Sequence, residues 1–462
     1  MTTSITSTLR FWCAVAVLLT AMALADARGA SAPPAEAQPA APLSIDDTEA
    51  VVVRARDGAS LEAIERYAAA NGYAKARSSA LLHAVEVQIP PQGLARAVAT
   101  LSAAPGAAYV EPVYRGFDSA DNPGDPLFSR ERPYLNAIHA TEAWDIERGR
   151  PEVLVAVLDS GVDLEHPDLQ GRIWTNPAEI AGNNLDDDGN GCFDDVHGCA
   201  FVSDAGAGCD DALDGKVDDD AGHGTFVVGV IAANANNIGI VGIARNVTVL
   251  PVKVLDCSGR GDSVALAKGI LYAAKAGAHV MNISLGGPTN ATVVRDAVRV
   301  ATEDYGAMIV AASGNSGKAG VFYPARYPQV LAVGAASSAD PDTRATFSTY
   351  GPEVDVVAVG QKIIGTVPAE TCPTISFLPC IGGNYAVGSG TSFSAPQAAG
   401  LAALIVSRRP GITPASIMDL IKSTATPVPP GTRPNWAGAG RINMLEALRP
   451  AFRLGAPGVA KN

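Results

Sequence analysis

Four short, mainly apolar and β-rich runs in the last two thirds of the chain constrain its fold more than any other feature. They are Val153–Leu158, Val247–Leu255, Val280–Ile283 and Met308–Ala312. Strands buried on both faces form such mainly apolar runs, because both sets of alternating side chains meet apolar neighbours. Apolar residues at helical spacing fill the intervals, at roughly 223–234, 262–276 and 291–305. This alternation predicts an α/β fold with a doubly wound, mainly parallel sheet flanked by helices, and functional groups at the carboxyl ends of its strands.

A shorter leading segment has a different pattern. Strand-like sequences occupy 51–53, 85–89 and 109–110, and helical spacing occupies 61–68 and 94–101. In this order the elements predict a small α+β, ferredoxin-like domain with helices on one face of an antiparallel sheet. The segment contains no cluster of candidate catalytic side chains.

The first residues indicate export. Arg10 precedes an apolar run from Phe11 to Leu24, and Ala23-Leu24-Ala25 supplies the small residues of a cleavage site. The pattern is typical of a secretory signal peptide, and the run is too short to span a bilayer. We therefore expect a secreted protein without a membrane anchor.

Six cysteines remain after residue 25, an even number that predicts disulfides in an exported chain. Cys372 and Cys380 lie eight residues apart in one loop-like stretch and are expected to pair. The other four, Cys192, Cys199, Cys209 and Cys257, allow three connectivities. No paired Cys-x-x-Cys spacing supports a zinc site.

The charge is concentrated in one segment. The chain has a formal net charge of −13, and residues 186–220 hold twelve aspartates against the single basic residue Lys216. Such density favours bound cations, although a solvated acidic loop is the alternative. Repulsion from phosphates argues against a nucleic-acid partner.

Three glycine-flanked motifs carry the candidate chemistry. Asp159 follows the run 153–158 in Asp-Ser-Gly-Val-Asp, His223 stands in Gly-His-Gly-Thr, and Ser392 stands in Gly-Thr-Ser-Phe-Ser-Ala-Pro. Singly, each could be a strand-end or helix cap. Together, a serine, a base to take its proton and a carboxylate to orient that base form a nucleophilic catalytic triad. In these motifs and their order, residues 130–448 resemble the subtilisin-like serine proteases, which implies an endopeptidase acting on polypeptides.

The resemblance implies further site residues. Asn315, in Ala-Ser-Gly-Asn, matches the oxyanion-hole asparagine, with the backbone N–H of Ser392 as a second donor. Substrate-binding backbone is expected in two segments that would pair with an extended peptide. These are Ser284, Leu285 and Gly286, and Gly259 and Gly261. No organic cofactor is implied, and we expect the mature enzyme to be a monomer.

Two calcium sites are predicted. Asp186, Asp188 and Asn190 repeat the first half of an EF-hand-type loop, and Asp194 or Asp195 could close it in place of His197. A solvated aspartate-rich turn is the alternative here. A second site follows from the resemblance. It would use the side chains of Asp168 and Asn236 with the carbonyls of Asn234, Ile238 and Ile240.

The leading segment, which ends near Tyr109-Val110-Glu111-Pro112, resembles the inhibitory propeptide of these proteases. An unrelated accessory domain is the alternative. The predicted division is a signal peptide at 1–25, a flexible Ala/Pro-rich segment at 26–45, a propeptide at 46–115, a linker with the maturation site at 116–131, a subtilisin-like domain at 132–450 and a tail at 451–462.

Several residues depart from the family pattern. Phe393 follows the candidate nucleophile where many relatives have Met, which predicts peroxide tolerance because phenylalanine forms no sulfoxide. Phe226 and Gln397 replace histidines outside the triad. Phe322 falls near the expected primary substrate pocket and leaves its depth open.

Two other functions remain for the sequence, a catalytically inactive homologue and a calcium-dependent adhesion module. The presence of all three triad residues and Asn315 argues against the first. Comparing the wild type with Ser392→Ala on casein separates both from a protease.

Overall fold

A computed structural model of the chain describes residues 50–113 apart from 57, 74, 81 and 91–92, and then 123–202, 215–372, 378–429 and 436–449. The chain divides into two compact units, one within residues 1–115 and one within 116–453. The predicted signal peptide, the Ala/Pro-rich segment and the C-terminal tail lie outside the described residues.

The first unit has one four-stranded antiparallel sheet, in the order β2-β3-β1-β4. Its elements are β1 (Ala50–Ala55), a helix (Leu61–Ala70), β2 (Lys75–Ser79), β3 (Ala84–Gln88), a helix (Leu94–Leu101) and β4 (Ala107–Pro112). Apolar residues of β1 and β3 pack with both helices in one core. The predicted α+β order is present, and β2 is an additional strand that its polar sequence did not indicate.

The second unit is built on a seven-stranded sheet in the order β11-β10-β9-β8-β5-β7-β6, in which all pairings are parallel. The strands are β5 (Leu154–Asp159), β6 (Cys199–Ala200), β7 (Thr248–Lys253), β8 (Val280–Ile283), β9 (Met308–Ala312), β10 (Val330–Ala336) and β11 (Val356–Val359). The chain adds strands on one side of β5 and then on the other. Such a reversal leaves a crevice at the carboxyl ends of the central strands.

Every residue of β5 is buried, which explains its unbroken apolar run. Val155 and Val157 pack into a core on one side of the sheet, and Leu154, Ala156 and Leu158 pack into a second core on the other side. The predicted parallel sheet between two helical layers is therefore confirmed.

The three helices with predicted bounds are present as His223–Ala232, Ser263–Lys275 and Thr292–Arg299. The second unit also contains the helices Phe128–Ala137, Ala140–Ala143, Ala395–Arg408, Pro414–Thr424 and Met444–Leu448. Helices His223–Ala232 and Ala395–Arg408 are buried along almost their whole length. A helix that is apolar on all sides is stable only in such an interior position. Each of these two helices begins at, or just after, a candidate catalytic residue.

A small antiparallel sheet, β12 (Ile363–Thr366), β14 (Tyr385–Gly388) and β13 (Cys380–Gly382), completes the unit. The expected disulfide between Cys372 and Cys380 is present. Cys192 pairs with Cys199, a choice that the sequence left open, and Cys257 is also disulfide-bonded. Within the part of the chain that the structure describes, no helix has the length and apolar character needed to cross a membrane.

Candidate active site

The carboxyl ends of the central strands meet at one cleft of about 810 Å³. His223, Asn315 and Ser392 line it, together with Ser284–Gly286. The predicted nucleophile, base, oxyanion donor and part of the substrate edge, which are widely separated in the sequence, therefore share one cavity.

Asp159 is the last residue of β5 and is 1% exposed. Its Oδ1 accepts hydrogen bonds from Nδ1 of His223 at 2.7 Å and from the N–H of Ser160 at 2.8 Å. Burial alone would lower the pKa of His223, but the charge and hydrogen bond of Asp159 and the charge of Asp219 outweigh it and raise that pKa. The pair can thus orient an imidazole and stabilise its protonated form.

His223 is the first residue of its helix, and the glycine after it lets the helix approach the Asp159 turn. A Cβ on Gly224 would lie 2.1 Å from the carbonyl oxygen of Gly161, an impossible contact. The Gly-His-Gly motif therefore has a steric reason, since a side chain at position 224 would push His223 away from Asp159.

Asp219 helps to build the candidate site, and the sequence analysis missed it. Its buried Oδ1 accepts from Ser160 Oγ at 2.8 Å and from two N–H groups of the turn before His223. Its Oδ2 accepts from the N–H and the hydroxyl of Thr225 at 2.7 and 2.6 Å. Asp219 thus ties the start of the His223 helix to the Asp159 turn. No local feature of the sequence distinguishes it from the other aspartates among the twelve in 186–220.

Ser392 lies in a short helical turn, Thr391–Phe393, that leads into the buried helix Ala395–Arg408. Its Oγ donates to the carbonyl of Ser284 at 3.0 Å, and Ser284 Oγ donates to the carbonyl of Ser392 at 2.8 Å. Asn282 Nδ2 donates in turn to Ser284 Oγ at 2.9 Å. The predicted substrate residue Ser284 therefore also holds the backbone of the candidate nucleophile.

The amide of Asn315 has a defined orientation. Its Oδ1 accepts from the N–H of Thr391 at 2.9 Å and from Thr391 Oγ1 at 3.0 Å. Because a backbone N–H can only donate, the oxygen of Asn315 must face it and Nδ2 remains the free donor. Thr391 Oγ1 also accepts from the N–H of Gly314, which fixes the hydroxyl. This arrangement can present Nδ2 to a developing negative charge.

Three of the departures from the family pattern, at Phe226, Phe393 and Gln397, lie together near the candidate base. The rings of Phe226 and Phe393 are 4.3 Å apart between centroids, and Phe393 lies 5.5 Å from the His223 ring. Gln397 Nε2 donates to the carbonyls of Val359 and Phe393 at 2.6 and 2.7 Å. The three unusual residues thus form one packed and hydrogen-bonded group.

Both predicted substrate segments line the cleft region. Gly259, Leu285 and Gly286 border the 810 Å³ cleft and also a neighbouring cavity of about 540 Å³, which Gly261 lines as well. Asp256 shapes the loop that carries the glycines, because its Oδ1 accepts from the N–H groups of Ser258 and Arg260. An extended chain could lie between the two segments.

The predicted ligands Asp168 and Asn236 lie in one oxygen-rich region. Oδ2 of Asp168 accepts from Ile240 N–H and Tyr385 Oη, whereas its buried Oδ1 has no hydrogen-bond partner. Asp125, which the sequence analysis missed in the linker region, accepts from Asn236 N–H through Oδ1, and its buried Oδ2 also has no partner.

Burial raises the pKa of Asp168 to about 7, and the charge of Asp125 adds to the effect. Two buried carboxylate oxygens without donors fit a hard cation, which takes carboxylate and carbonyl oxygens. The backbone that carries the predicted carbonyl ligands Asn234, Ile238 and Ile240 belongs to the same loop.

The acidic loop brings together Glu179, Asp188 and Asp195, whose carboxylate oxygens lie within 4.8 Å of one another. Glu179 was not predicted, and its buried Oε2 has no partner. Asn190 joins the group, since its Nδ2 donates to Asp188 and Asp195 at 2.9 Å each. Asp186 is not one of these three grouped carboxylates. It accepts hydrogen bonds from the N–H groups of residues 190 and 191 instead.

Comparison with known proteins shows the family to which the chain belongs. The sequence profile of the subtilase family matches residues 150–440, which include all three triad positions. The chain belongs to the subtilase family. It is 36% identical to thermitase of Thermoactinomyces vulgaris over 328 residues, 71% of this chain and 99% of thermitase. Subtilisin E of Bacillus subtilis is 35% identical over 335 residues, 72% of this chain and 73% of that protein.

Among solved structures, a protease of Pseudoalteromonas arctica superimposes with a TM-score of 0.57 at 27% identity, covering 71% of this chain and 98% of that one. These relatives confirm the predicted family and fold, and they support a serine endopeptidase. This subtilase therefore cleaves peptide bonds within polypeptides.

Proposed function

We propose that this subtilase is secreted and hydrolyses polypeptides through an acyl-enzyme formed on Ser392, with His223 as general base and acid and Asp159 as its orienting carboxylate. The observation that carries the proposal is the 2.7 Å hydrogen bond from His223 to Asp159, in a cleft that Ser392 and Asn315 share with His223.

The reaction begins with a rotation of the Ser392 hydroxyl from the carbonyl of Ser284 towards His223. Catalytic hydrogen bonds are often loose before substrate binds, so the bond to Ser284 is compatible with this role. His223 takes the hydroxyl proton as Ser392 Oγ attacks the scissile carbonyl carbon. Asp159 stabilises the resulting imidazolium.

The carbonyl oxygen becomes an oxyanion, which accepts hydrogen bonds from Nδ2 of Asn315 and the N–H of Ser392. The C–N bond then breaks, and the amine leaves with the proton that His223 returns. Water, deprotonated by His223, attacks the ester, and Ser392 regains its hydrogen as the acid product leaves. Donors fixed in advance lower the barrier because they need no reorganisation during the reaction.

Substrate binding in the proposal uses backbone. The segments around Gly259–Gly261 and Leu285–Gly286 would pair with an extended polypeptide by strand addition, which gives affinity with little side-chain selectivity. The position of both segments at the rim of the cleft supports this role.

Calcium would have a structural role. The partnerless oxygens of Asp125 and Asp168 support one site, with Asn236 and the loop carbonyls as further ligands. The group of Glu179, Asp188 and Asp195 supports another. A bound Ca²⁺ would neutralise these carboxylates and stabilise the folded enzyme.

The leading unit is proposed to be an inhibitory propeptide that is cut off between residues 116 and 131, leaving a monomeric mature enzyme. Its α+β sheet supports this role. The N-terminal apolar run supports export. N-terminal sequencing of secreted protein tests both, and a mature N-terminus before residue 100 would contradict the propeptide assignment.

The test of the catalytic proposal compares casein hydrolysis by the wild type, Ser392→Ala and Ser394→Ala. Ser394 belongs to the same motif and is a matched control, because its buried hydroxyl donates to the carbonyl of Ala358 in β11. We expect hydrolysis to be lost only in Ser392→Ala, and a fluorophosphonate to label Ser392 in the other two proteins. Equal hydrolysis by Ser392→Ala and the wild type would refute the triad.

A further inference from the structure

The walls of the cleft on either side of Ser392 are two glycine-containing segments. Ser284–Gly286 follows β8, and Ala312–Asn315 follows β9. Residues of both segments line the same cavity as Ser392. Because neither Gly286 nor Gly314 has a side chain, the space between them can admit a substrate side chain.

Phe322 lies where these walls converge. Its N–H donates to the carbonyl of Ser313 at 3.0 Å, which attaches it to the second wall. The next residue, Tyr323, exchanges two backbone hydrogen bonds of 2.8 and 3.0 Å with Gly287, which directly follows the first wall. The backbone of residues 322–323 is thus hydrogen-bonded to both glycine-containing segments.

The side chain of Phe322 spans the gap. A Cβ on Gly286 would lie 3.4 Å from Cβ of Phe322, and a Cβ on Gly314 would lie 3.0 Å from Cγ and Cδ2 of its ring. The aromatic ring therefore contacts the glycine backbone of the second wall while its stem contacts the first. Phe322 also lines the cleft that Ser392 lines.

We propose that Phe322 restricts the enzyme to small residues, such as Ala, Ser or Gly, on the acyl side of the bond that is cut. The proposal rests on the catalytic role of Ser392. When Ser392 attacks a carbonyl carbon whose oxygen points to Asn315, the side chain of that residue enters the space between the two walls. An aromatic or long aliphatic side chain would meet the Phe322 ring there.

The expected preference for small over large substrate residues can be estimated from the packing. A pocket that differs by one or a few carbon groups discriminates by about 10- to 200-fold in kcat/KM. Displacing a packed ring to fit a larger group also carries a cost. We therefore expect the wild type to cleave succinyl-Ala-Ala-Pro-Ala-p-nitroanilide at least about tenfold better than the corresponding Phe substrate.

The decisive measurement is the ratio of kcat/KM for these two substrates in the wild type, Phe322→Gly and Val321→Ala. Phe322→Gly should lower the Ala-to-Phe ratio by at least about tenfold, mainly through a gain on the Phe substrate. Val321→Ala is the matched control. Val321 directly precedes Phe322, but its side chain is buried in the core and does not border the cleft. It should leave the ratio unchanged.

Cleavage sites of the wild type on denatured casein, mapped by mass spectrometry, provide a readout that needs no variant. Small residues should dominate the acyl side of those sites. Efficient Ser392-dependent cleavage after Phe or Leu would overturn the role of Phe322 but leave the protease proposal intact. Absence of Ser392-dependent hydrolysis of both casein and the two small substrates would instead refute the proposed function.

Discussion

The carboxylate of Asp219 offers a sharp test of how the candidate site is held together. It is 5% exposed and accepts five hydrogen bonds that link Ser160, the turn before His223 and Thr225. Asp219→Asn keeps the shape of the side chain but replaces one acceptor oxygen with an NH₂ donor. Whichever way the amide turns, it faces at least one backbone N–H.

The less costly orientation places the NH₂ beside Thr225, whose hydroxyl can rotate while its N–H cannot. One charge-assisted bond of about 1.5–3 kcal/mol is then lost, and the remaining bonds weaken from charged to neutral. The expected destabilisation is about 2–4 kcal/mol. With an unfolding entropy of about 0.7 kcal/mol/K for a domain of this size, the melting temperature should fall by about 3–6 °C.

The melting temperature is best measured in the Ser392→Ala background, which removes self-digestion. Asp220→Asn is the matched stability control, because Asp220 is the adjacent aspartate and its half-exposed carboxylate pairs with Lys253 outside the Asp219 network. It should cost less than Asp219→Asn, because the buried ammonium of Lys253 keeps the carbonyl of Asp218 as an acceptor and the new amide still offers it an oxygen. A melting temperature for Asp219→Asn equal to that of Asp220→Asn would refute the assigned role.

A second readout separates positioning from general stability. The charge of Asp219 contributes to the raised pKa of His223, although Asp159 contributes more. Because the base must be neutral, kcat/KM should fall on the acid side of a midpoint above the ordinary histidine value. Removing the charge of Asp219 stabilises the neutral imidazole, so this midpoint should move to lower pH in Asp219→Asn. An unchanged midpoint would contradict the electrostatic contribution.

Three further predictions concern the oxyanion donor, the metal sites and oxidation. Asn315→Ala should lower kcat by about 10²–10³-fold with little change in KM. If KM rose by that factor while kcat stayed the same, Asn315 would be assigned to ground-state binding. EDTA should lower the melting temperature of the wild type by several degrees, since calcium at 100 times its Kd contributes about 2.7 kcal/mol of stability. EDTA should have a smaller effect on Asp168→Ala, which lacks one of the proposed ligands. Identical responses of the two proteins would exclude the calcium site at Asp168. The wild type should keep its activity after peroxide treatment. Phe393→Met should lose activity, because it places a sulfoxide-forming side chain beside His223. Equal survival of the two proteins would contradict the role assigned to Phe393.

Much of the fold was predictable because the apolar patterns of strands and of helices are both local in the sequence. The buried strands β8 and β9 have the predicted bounds, since a strand covered on both faces needs a mainly apolar run. By contrast, β2 was missed because Lys75–Ser79 is polar, and its pairing with β3 depends on backbone hydrogen bonds rather than on side-chain pattern.

The candidate site shows the same division. Asp159, His223, Ser392 and Asn315 could be named from glycine-rich motifs, because close backbone approach leaves a signature in the sequence. Asp125, Glu179 and Asp219 could not, since an aspartate or glutamate in an acidic or polar segment gives no local indication of burial. Their significance comes from partners that the tertiary structure supplies, or, for Asp125 and Glu179, from buried oxygens that lack a partner.

The sequence alone determined the class of fold and the family resemblance, and it named candidate residues for the reaction, because these depend on residue type, order and local spacing. Only the tertiary structure decided which residues hold that machinery in place and how much room the substrate has. Phe322 illustrates the difference. Its presence near the pocket was evident from the sequence, but the position of its ring between Gly286 and Gly314 depends on packing between strands distant along the chain.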